Sequence, residues 1–424
     1  PSLDRIAAFT ELLGEPQRTY PVVHLTGTNG KTSTSRMVDT LIRALDLRTG
    51  RFTSPHVETM TERITLDGEP LTEEQFVEAY NDVATIAQLT DEEGTHPLSF
   101  FETVVGMAFA AFADAPVDAA VVEVGMGGSW DATNVADATV AVILPIAVDH
   151  SSYLGTRPVD IAREKAGIIK AGSTVVCAQQ DDDVAAVIAE RAAEVGASVL
   201  WEGRDFGIAT RVPAVGGQML RIQGLRREYD EVFLPLYGAH QAQNAAVALA
   251  AVEAFVGEDP LDLDLVRTAF EQVTSPGRLE VIRRSPTIVL DAAHNPHGAA
   301  AVVDALEDSF SFSPLIGVVG VMSDKDYEGV LAVFEPAMAA IVCTQSSSSR
   351  SLGAEDLAEV ARGIFGIDRV YVAPRLDDAI EQAATLAEEG GVFGEAIGSG
   401  GVLVTGSVVT VGEARGMLKP RARR

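Results

Sequence analysis

The chain has 424 residues, a formal net charge of −29 at pH 7, and 47% hydrophobic against 22% charged residues. This length predicts two or three domains, and the negative charge argues against a general nucleic-acid-binding protein. No apolar run approaches the ~20 residues that a membrane-spanning helix needs, and the chain does not open on a signal-peptide pattern, so we expect no membrane partner.

A glycine-rich loop between a predicted strand and a predicted helix is the first informative feature along the chain. The apolar run 21–25 leads into the loop, and an amphipathic helix begins at Lys31. Loop amides and the positive end of a helix dipole favour a bound phosphate, Lys31 can reach the terminal phosphates, and the Thr32 hydroxyl can ligate Mg²⁺. Leu25 replaces the first glycine of the full P-loop pattern, so a glycine turn with a solvated lysine is the alternative. The residues that would surround the phosphates are Gly27, Thr28, Asn29, Gly30, Lys31, Thr32 and Ser33.

Apolar strand-like runs then alternate with amphipathic helical runs. We expect strands at 117–124 and 139–144, and helices at 72–89, 100–113 and 159–170. Residues 206–236 predict short antiparallel strands, two helices follow to residue 272, and a turn-rich break lies at 274–277. Strands are then predicted at 287–290, 315–321, 340–344, 369–372 and 402–405.

This pattern predicts an α/β protein with two domains. Residues 1–275 would form a P-loop-type, doubly wound, mainly parallel sheet with a small antiparallel sheet. Residues 276–424 would form a smaller Rossmann-like α/β domain. The serine-rich run 345–349 and the glycine-rich run 390–401 predict loops, and the basic tail 419–424 is expected to be solvated.

Several polar groups follow predicted strands, at the sheet edge where ligands bind in open parallel sheets. Glu123 closes a buried strand before a glycine turn, and its carboxylate suits Mg²⁺. Asp149 and His150 follow another apolar strand in the same manner, and Ser54 follows a third. The alternatives are a glutamate satisfied by backbone amides, a structural histidine and an ordinary turn.

Two further groups carry weaker indications. Glu164 and Lys165 lie on a predicted helix, where chemistry alone favours surface salt bridging. Asp291 closes a strand and His294 begins a helix, a placement that suits ribose hydroxyls, phosphate or base. Arg278, at the predicted domain boundary, offers a guanidinium to a phosphate.

Taken together, these motifs resemble the folylpolyglutamate synthase and dihydrofolate synthase family of the Mur-ligase superfamily. The resemblance extends from about residue 4 to 416. Motifs in the family's order occupy residues 27–32, 53–56, 99–102, 123–134, 149–150, 164–168 and 291–296, and residues 240–244 and 276–278 also fit.

The resemblance implies roles for matching positions. Lys31, Lys165 and His150 would be catalytic, and Lys165 matches a lysine that the family carbamylates, which turns a cation into a carboxylate-like metal ligand. The implied metal ligands are Thr32, Ser54, Glu123, His150 and Lys165. The implied ATP contacts beyond the glycine-rich loop are Asn244, Arg278, Asp291 and His294. The implied pterin or folate contacts are Phe101, Asp131 and Ala132.

The resemblance also implies the reaction. ATP would phosphorylate a substrate carboxylate, and the amine of L-glutamate would displace phosphate from the acyl phosphate. The expected substrates are dihydropteroate and reduced folates, and the expected cofactors are two Mg²⁺ ions, with a monovalent cation as a further candidate. We expect a cytoplasmic monomer, and the two cysteines, Cys177 and Cys343, predict buried thiols in a reducing compartment.

Alternative functions remain at this stage. The chain could be a folylpolyglutamate synthase only, another Mur-type amide ligase, or a non-catalytic nucleotide-binding switch. A cell-wall Mur ligase carries a UDP-binding domain before its P-loop, and only 26 residues precede Gly27 here. The sequence leaves open the polyglutamate length, the one-carbon form of the folate, and the roles of Lys325 and of residues 346–349.

Overall fold

The structure, a computed structural model, describes residues 2–388 and 400–419. The chain divides into two compact units. The first takes in residues up to Val212, with Gly217–Pro235 and His240–Thr274, and the second takes in Pro213–Gly216, Leu236–Ala239 and the described residues from Ser275 onward. The run 390–399 and residues 420–424, for which we predicted a loop and a solvated tail, lie outside the described residues.

The first unit is built on an eight-stranded sheet. Its strands are β1 (Val22–Thr26), β2 (Thr49–Phe52), β3 (Ile64–Leu66), β4 (Glu69–Pro70), β5 (Ala119–Glu123), β6 (Ala138–Ile143), β7 (Thr174–Cys177) and β8 (Ser198–Trp201). The strand order is β4-β3-β2-β5-β1-β6-β7-β8, and the run from β2 to β8 is parallel. Only β3 and β4 are antiparallel, at one edge.

Helices surround this sheet. They are α1 (Asp4–Leu12), α2 (Lys31–Ala44), α3 (Glu73–Glu93), α4 (Phe100–Asp114), α5 (Ser151–Leu154), α6 (Pro158–Lys165), α7 (Asp182–Val195), α8 (Ala239–Val256) and α9 (Leu263–Glu271). Two separate apolar clusters join the helices to the strands, one around Phe9, Phe109 and Phe112 and the other around Ile161 and Ile188. Because helices cover the sheet, β1 and β5 are buried along their whole length, as expected for central parallel strands.

A small antiparallel sheet follows, with β9 (Gly207–Ala214), β10 (Gly217–Gln223) and β11 (Glu228–Leu234) in the order β11-β10-β9. Glu253 on α8 holds the turn of this sheet. Its carboxylate accepts hydrogen bonds from the Leu225 amide at 2.6 Å and from the Tyr229 hydroxyl at 2.8 Å. Burial raises the pKa of Glu253. The hydrogen bonds of this carboxylate attach the small sheet to α8.

The second unit is built on a six-stranded sheet in the order β12-β13-β17-β14-β15-β16. The strands are β12 (Glu280–Arg284), β13 (Thr287–Leu290), β14 (Leu315–Val319), β15 (Ala340–Cys343), β16 (Val370–Val372) and β17 (Gly401–Thr405). The helices are α10 (Pro296–Ser309), α11 (Tyr327–Phe334), α12 (Ala354–Phe365), α13 (Leu376–Glu388) and α14 (Val408–Leu418). All neighbours are parallel except β12 and β13, which form an antiparallel pair.

The predicted fold class is confirmed, including the small antiparallel sheet and the second α/β unit. One helix is shorter than expected, because α6 ends at Lys165 and a 3-10 turn, Ala166–Ile168, replaces the predicted continuation to residue 170. Gly167 in that turn packs so closely on Ser129 that an added Cβ would lie 2.3 Å from the serine oxygen. Strand β12 was missed, since three of its five residues are charged and it lacks a strong apolar pattern.

Both cysteines are buried free thiols, as predicted, and burial raises the pKa of each to about 12. Across the described ranges, none of the helices has the length and apolar character needed to cross a bilayer.

Candidate active site

The glycine-rich loop joins β1 to α2. Gly30, the residue before α2, has φ +87°, a left-handed conformation that glycine adopts without strain. A Cβ at this position would lie 2.6 Å from the Asn244 side-chain oxygen, so the loop also needs glycine for close packing. Asn244 on α8 therefore lies beside the loop, and its contact with ATP stays a prediction.

The same helix contacts the start of α2. Gln241 donates a hydrogen bond from Nε2 to the Ser33 hydroxyl at 3.2 Å, and Asn244 donates to the Gln241 side-chain oxygen at 3.2 Å. All three side chains are buried. Gln241 lies in the motif at residues 240–244, and its contact with Ser33 could not be read from the sequence because the two residues are 208 positions apart in the chain.

The segment after β6 runs along the other side of the loop. Thr28 donates its amide to the Pro145 oxygen at 3.0 Å, and its hydroxyl both donates to the Ala147 oxygen and accepts from the Ala147 amide. Asp149 and His150 come after this segment, and the role of His150 as a metal ligand stays a prediction. Strand β6 ends at Ile143, and the chain then pairs with the loop before His150, at φ +50°, precedes α5.

Two lysines converge on the loop. Lys31 donates to the Gly27 oxygen at 2.9 Å and to the Thr28 oxygen at 3.3 Å, and Lys165 donates to the same Gly27 oxygen at 2.9 Å. Lys165 is only 4% exposed, and burial first and then the charge of Lys31 lower its pKa to about 7. The structure therefore contradicts the surface salt bridge that chemistry alone favoured for Lys165 and places this residue at the glycine-rich loop.

Glu164, its neighbour, holds a second glycine-rich turn. Its carboxylate accepts hydrogen bonds from the amides of Gly128 at 3.3 Å and Trp130 at 3.2 Å, and from the Ser129 hydroxyl at 3.0 Å. Sequence reasoning missed this structural role. The available signal was a glycine turn at residues 125–128, whose amides need acceptors.

Thr32 and Glu123 form the candidate metal site. The Thr32 hydroxyl donates to the Glu123 carboxylate, at 3.0 Å from Oε1 and 3.2 Å from Oε2, and Glu123 is 1% exposed at the end of β5. Among the described residues, no group of three or more His, Cys, Asp or Glu side chains is arranged to hold a metal ion. One carboxylate beside one hydroxyl suits Mg²⁺, which takes oxygen ligands and usually completes its shell with water and substrate phosphates.

Ser54, another predicted metal ligand, is buried just after β2, the parallel neighbour of β5. Sequence reasoning missed two arginines, Arg36 on α2 and the buried Arg51 on β2. Burial and then the charge of Arg51 lower the pKa of Arg36 to about 10, whereas Glu62, Asp39 and Glu123 raise it. The Arg51 guanidinium lies 3.8 Å from Asp39, so positive charge accumulates close to Glu123 in an otherwise acidic chain.

The predicted pterin residues gather at the start of α4 and after β5. The Phe101 ring packs on Gly125, where an added Cβ would lie 2.4 Å from Cζ, and its centroid is 5.9 Å from that of Phe52. Its neighbour Phe100 is 53% exposed, with the Arg63 guanidinium 5.4 Å from the ring centroid. Phe100 therefore lies at the surface, whereas Phe101 packs against the turn after β5.

Asp131 and Ala132 are both buried in the same region. The Asp131 carboxylate accepts hydrogen bonds from the Met126 amide at 2.9 Å, the Thr133 amide at 3.0 Å and the Thr133 hydroxyl at 2.6 Å. Burial raises the pKa of Asp131, and these hydrogen bonds lower it. Its first contacts are thus internal, with the backbone of the turn that it closes.

In the second unit, Asp291 follows β13 and is 4% exposed. Its carboxylate accepts from the amides of Leu279 at 2.9 Å and Ala293 at 2.8 Å, burial raises its pKa, and the Arg278 charge lowers it. The His294 ring nitrogen Nδ1 lies 2.9 Å from the Ala292 oxygen, just before α10. The sequence correctly placed this group between a strand and a helix, and its contact with ATP stays a prediction.

Comparisons with known proteins match both units. A family model described as the Mur ligase middle domain matches residues 25–252, and one described as the Mur ligase, glutamate ligase domain, matches residues 277–408. A dihydrofolate synthase/folylpolyglutamate synthase of Mycobacterium tuberculosis is 48% identical over 435 residues, which cover 98% of this chain and 89% of that protein.

Solved structures agree. Mycobacterium tuberculosis folylpolyglutamate synthase, solved in complex with ADP and AMPPCP, superposes with a TM-score of 0.96 at 48% identity, covering 100% of this chain and 96% of the other. Escherichia coli FolC, in complex with DHPP and ADP, superposes with a TM-score of 0.85 at 28% identity, covering 98% of this chain and 92% of the other.

Proposed function

The chain belongs to the dihydrofolate synthase/folylpolyglutamate synthase family of Mur ligases, and we propose that it joins L-glutamate to dihydropteroate and to reduced folates with cleavage of ATP to ADP and phosphate. The first unit, within residues 1–275, would bind ATP and the folate. The second, within residues 276–424, would be the glutamate-ligase domain, with Arg278, Asp291 and His294 contacting ATP. We expect a cytoplasmic monomer with small-molecule substrates.

One observation carries this proposal. The glycine-rich loop lies beside a buried carboxylate and two lysine amines. The Thr32 hydroxyl contacts Glu123 at 3.0 Å, and Lys31 and Lys165 both donate to the Gly27 oxygen. Loop amides and Lys31 bind the phosphates of ATP, and Asn244 packs against the loop at Gly30. The arrangement supports phosphoryl transfer by positioning and charge neutralisation.

Thr32 and Glu123 would hold Mg²⁺, with Ser54, His150 and carbamylated Lys165 as the further ligands that two metal sites would use. Bound Mg²⁺ neutralises charge on the phosphates of ATP and lowers the barrier to attack by an anionic oxygen. A free ammonium at Lys165 would oppose a metal ion, whereas a carbamate supplies two oxygen ligands of the type that Mg²⁺ takes.

The reaction proceeds in two steps. A carboxylate oxygen of the folate substrate attacks the γ-phosphorus of ATP, the bond to the β,γ-bridging oxygen breaks, and ADP leaves. The glutamate amine then attacks the carbonyl carbon of the acyl phosphate, the C–N bond forms, the C–O bond to phosphate breaks, and the amine nitrogen loses its proton. Lys31 keeps positive charge beside the transferred group throughout, and the protein needs no covalent nucleophile.

A substrate panel tests the proposal against its alternatives. ADP release is measured with dihydropteroate, tetrahydrofolate or a UDP-muramoyl peptide, each with and without L-glutamate. We expect glutamate-dependent release with dihydropteroate and with tetrahydrofolate. Release with tetrahydrofolate alone would reduce the protein to a folylpolyglutamate synthase, release with the UDP-muramoyl peptide would indicate another Mur ligase, and ATP binding without glutamate-dependent release would indicate a nucleotide-binding switch.

A further inference from the structure

Three buried side chains, joined by hydrogen bonds, link the strand before the glycine-rich loop to the candidate folate site. His24, in the middle of β1, places Nε2 at 2.8 Å from the Thr133 hydroxyl, and that hydroxyl lies 2.6 Å from Asp131 Oδ1. His24 and Thr133 are fully buried, and Asp131 is 3% exposed. Burying polar side chains costs free energy unless they are hydrogen-bonded, and here each of the three is hydrogen-bonded to the next.

The direction of each hydrogen bond follows from the partners. Both Asp131 oxygens accept backbone amides, from Met126 and from Thr133, so the Thr133 hydroxyl donates its single proton to the carboxylate. The Thr133 oxygen must then accept from His24, which therefore carries its proton on Nε2. Across residues 2–388 and 400–419, the other ring nitrogen, Nδ1, has no hydrogen-bond partner.

This series of contacts continues from Asp131 to Phe101, the ring that we assign to pterin binding. Asp131 Oδ2 holds the Met126 amide, and the adjacent residue Gly125 forms the surface on which the Phe101 ring packs. A change in the carboxylate orientation would displace the Met126 amide, and Phe101 packs so closely on Gly125 that its ring would have to shift with this backbone. The contacts thus run without a gap from β1 to one wall of the candidate folate site.

We propose that His24 and Thr133 are positioning residues for the folate substrate: through Asp131 they fix the Gly125–Met126 backbone against which Phe101 packs. The inference rests on the proposed function, and it adds an indirect role to the direct contact expected for Asp131. Through its hydrogen bonds to the turn, Asp131 also acts on the substrate by way of this backbone and Phe101. His24 precedes the phosphate loop in the same strand, yet its side chain serves the folate side.

Steady-state kinetics of two matched pairs test this inference. Thr133→Val removes the hydroxyl and Thr133→Ser keeps it, while His24→Leu removes the donor and His24→Gln keeps an N–H at a similar distance. We expect Thr133→Val and His24→Leu to raise KM for dihydropteroate and tetrahydrofolate about tenfold, the effect of one lost buried hydrogen bond, with KM for ATP changed less than about twofold. Serine and glutamine should restore most of the loss.

The double variant His24→Leu/Thr133→Val sharpens the test. Residues acting in series through one carboxylate should give a double variant no worse than the more affected single variant, whereas independent residues would multiply their effects. ADP binding reports whether each variant is folded, and if Thr133→Val fails to fold, the histidine pair carries the comparison.

Three outcomes would overturn the inference: unchanged folate KM in His24→Leu and Thr133→Val, equal increases in the KM values for folate and ATP, or multiplied effects in the double variant. Failure of the proposed function looks different, because the wild-type protein would then show no glutamate-dependent ADP release with either folate substrate.

Discussion

The side-chain amines of Lys31 and Lys165 both lie 2.9 Å from one acceptor, the carbonyl oxygen of Gly27. Two ammonium groups in this arrangement repel each other, and the buried one is the more easily deprotonated. Burial and the charge of Lys31 accordingly lower the pKa of Lys165 to about 7. A substantial fraction of Lys165 is therefore the neutral amine at neutral pH, which is the form that reacts with CO₂.

We predict that Lys165 is carbamylated in the active protein. With ¹³C-labelled bicarbonate, the wild-type protein should show a carbamate carbon resonance that Lys165→Ala lacks. Lys165→Ala should lose at least about 100-fold in turnover, and acetate should restore part of the rate by filling the vacated position. Arg163→Ala, on the same helix with a side chain 60% exposed, is the control and should keep wild-type turnover. Wild-type turnover by Lys165→Ala would contradict the assignment.

Thr32 should control the response to Mg²⁺. Thr32→Val removes the hydroxyl that contacts Glu123 at 3.0 Å, so the Mg²⁺ concentration for half-maximal turnover should rise about tenfold or more, and Thr32→Ser should restore it to within about twofold. A chelator should abolish turnover of the wild-type protein. Titrations of activity against Mg²⁺ at saturating ATP measure this. If valine and serine variants respond to Mg²⁺ alike, the Thr32–Glu123 site is wrong.

The parts of the site that depend on residues close together in the chain could be predicted from the sequence. The glycine-rich loop, with Lys31 and Thr32, was predicted because a strand, a glycine turn and a helix start are contiguous in the chain. Glu123 and Asp291 were placed correctly for the same reason, since each ends a strand and parallel strands end at one sheet edge.

What the sequence could not give depends on pairing between distant segments. Chemistry alone put Lys165 on a helix surface, because only the folded chain brings it to Gly27. The bonding of the segment after β6 to Thr28 has no local pattern in the sequence, and neither has the Arg51–Asp39 pair. The contact of His24 with Thr133 likewise joins residues that lie 109 positions apart.

His24 should make the first unit less stable in acid. Burial lowers the pKa of His24 to about 3 in the folded chain, far below the ordinary value of 6.5. Between these values the unfolded chain binds a proton that the folded chain does not, so stability falls as pH decreases through 6.5. The free energy of unfolding should drop by about 2 kcal/mol more for wild type than for His24→Gln between pH 7.5 and 5.

Urea titrations followed by tryptophan fluorescence measure this difference, because both tryptophans of the chain, Trp130 and Trp201, lie in the first unit. His96→Gln, at an exposed position, is the matched control and should keep the wild-type pH dependence. Parallel curves for wild type and His24→Gln would show that the pKa of His24 is the same in the folded and unfolded chain, against the prediction.

Phe101 should contribute to folate affinity and Phe100 should not. Stacking of an aromatic ring adds about 1 kcal/mol beyond its buried area, so Phe101→Leu should raise KM for dihydropteroate about fivefold with KM for ATP unchanged. Phe100→Leu is the control, because that ring is 53% exposed and contacts Arg63. Initial rates against each substrate measure both values. A larger increase in KM for Phe100→Leu than for Phe101→Leu would show that Phe101 is not the ring that contacts the pterin.

One labelling experiment tests the central claim, that this site activates a folate carboxylate by phosphorylation and transfers it to glutamate. Dihydropteroate carrying ¹⁸O in its carboxylate is incubated with ATP, Mg²⁺ and L-glutamate, and the products are analysed by mass spectrometry. We predict dihydrofolate as the amide product and one ¹⁸O atom in the inorganic phosphate, because the oxygen that attacks ATP leaves with the phosphoryl group. Formation of no glutamate adduct, or phosphate without label beside a labelled amide, would contradict the account.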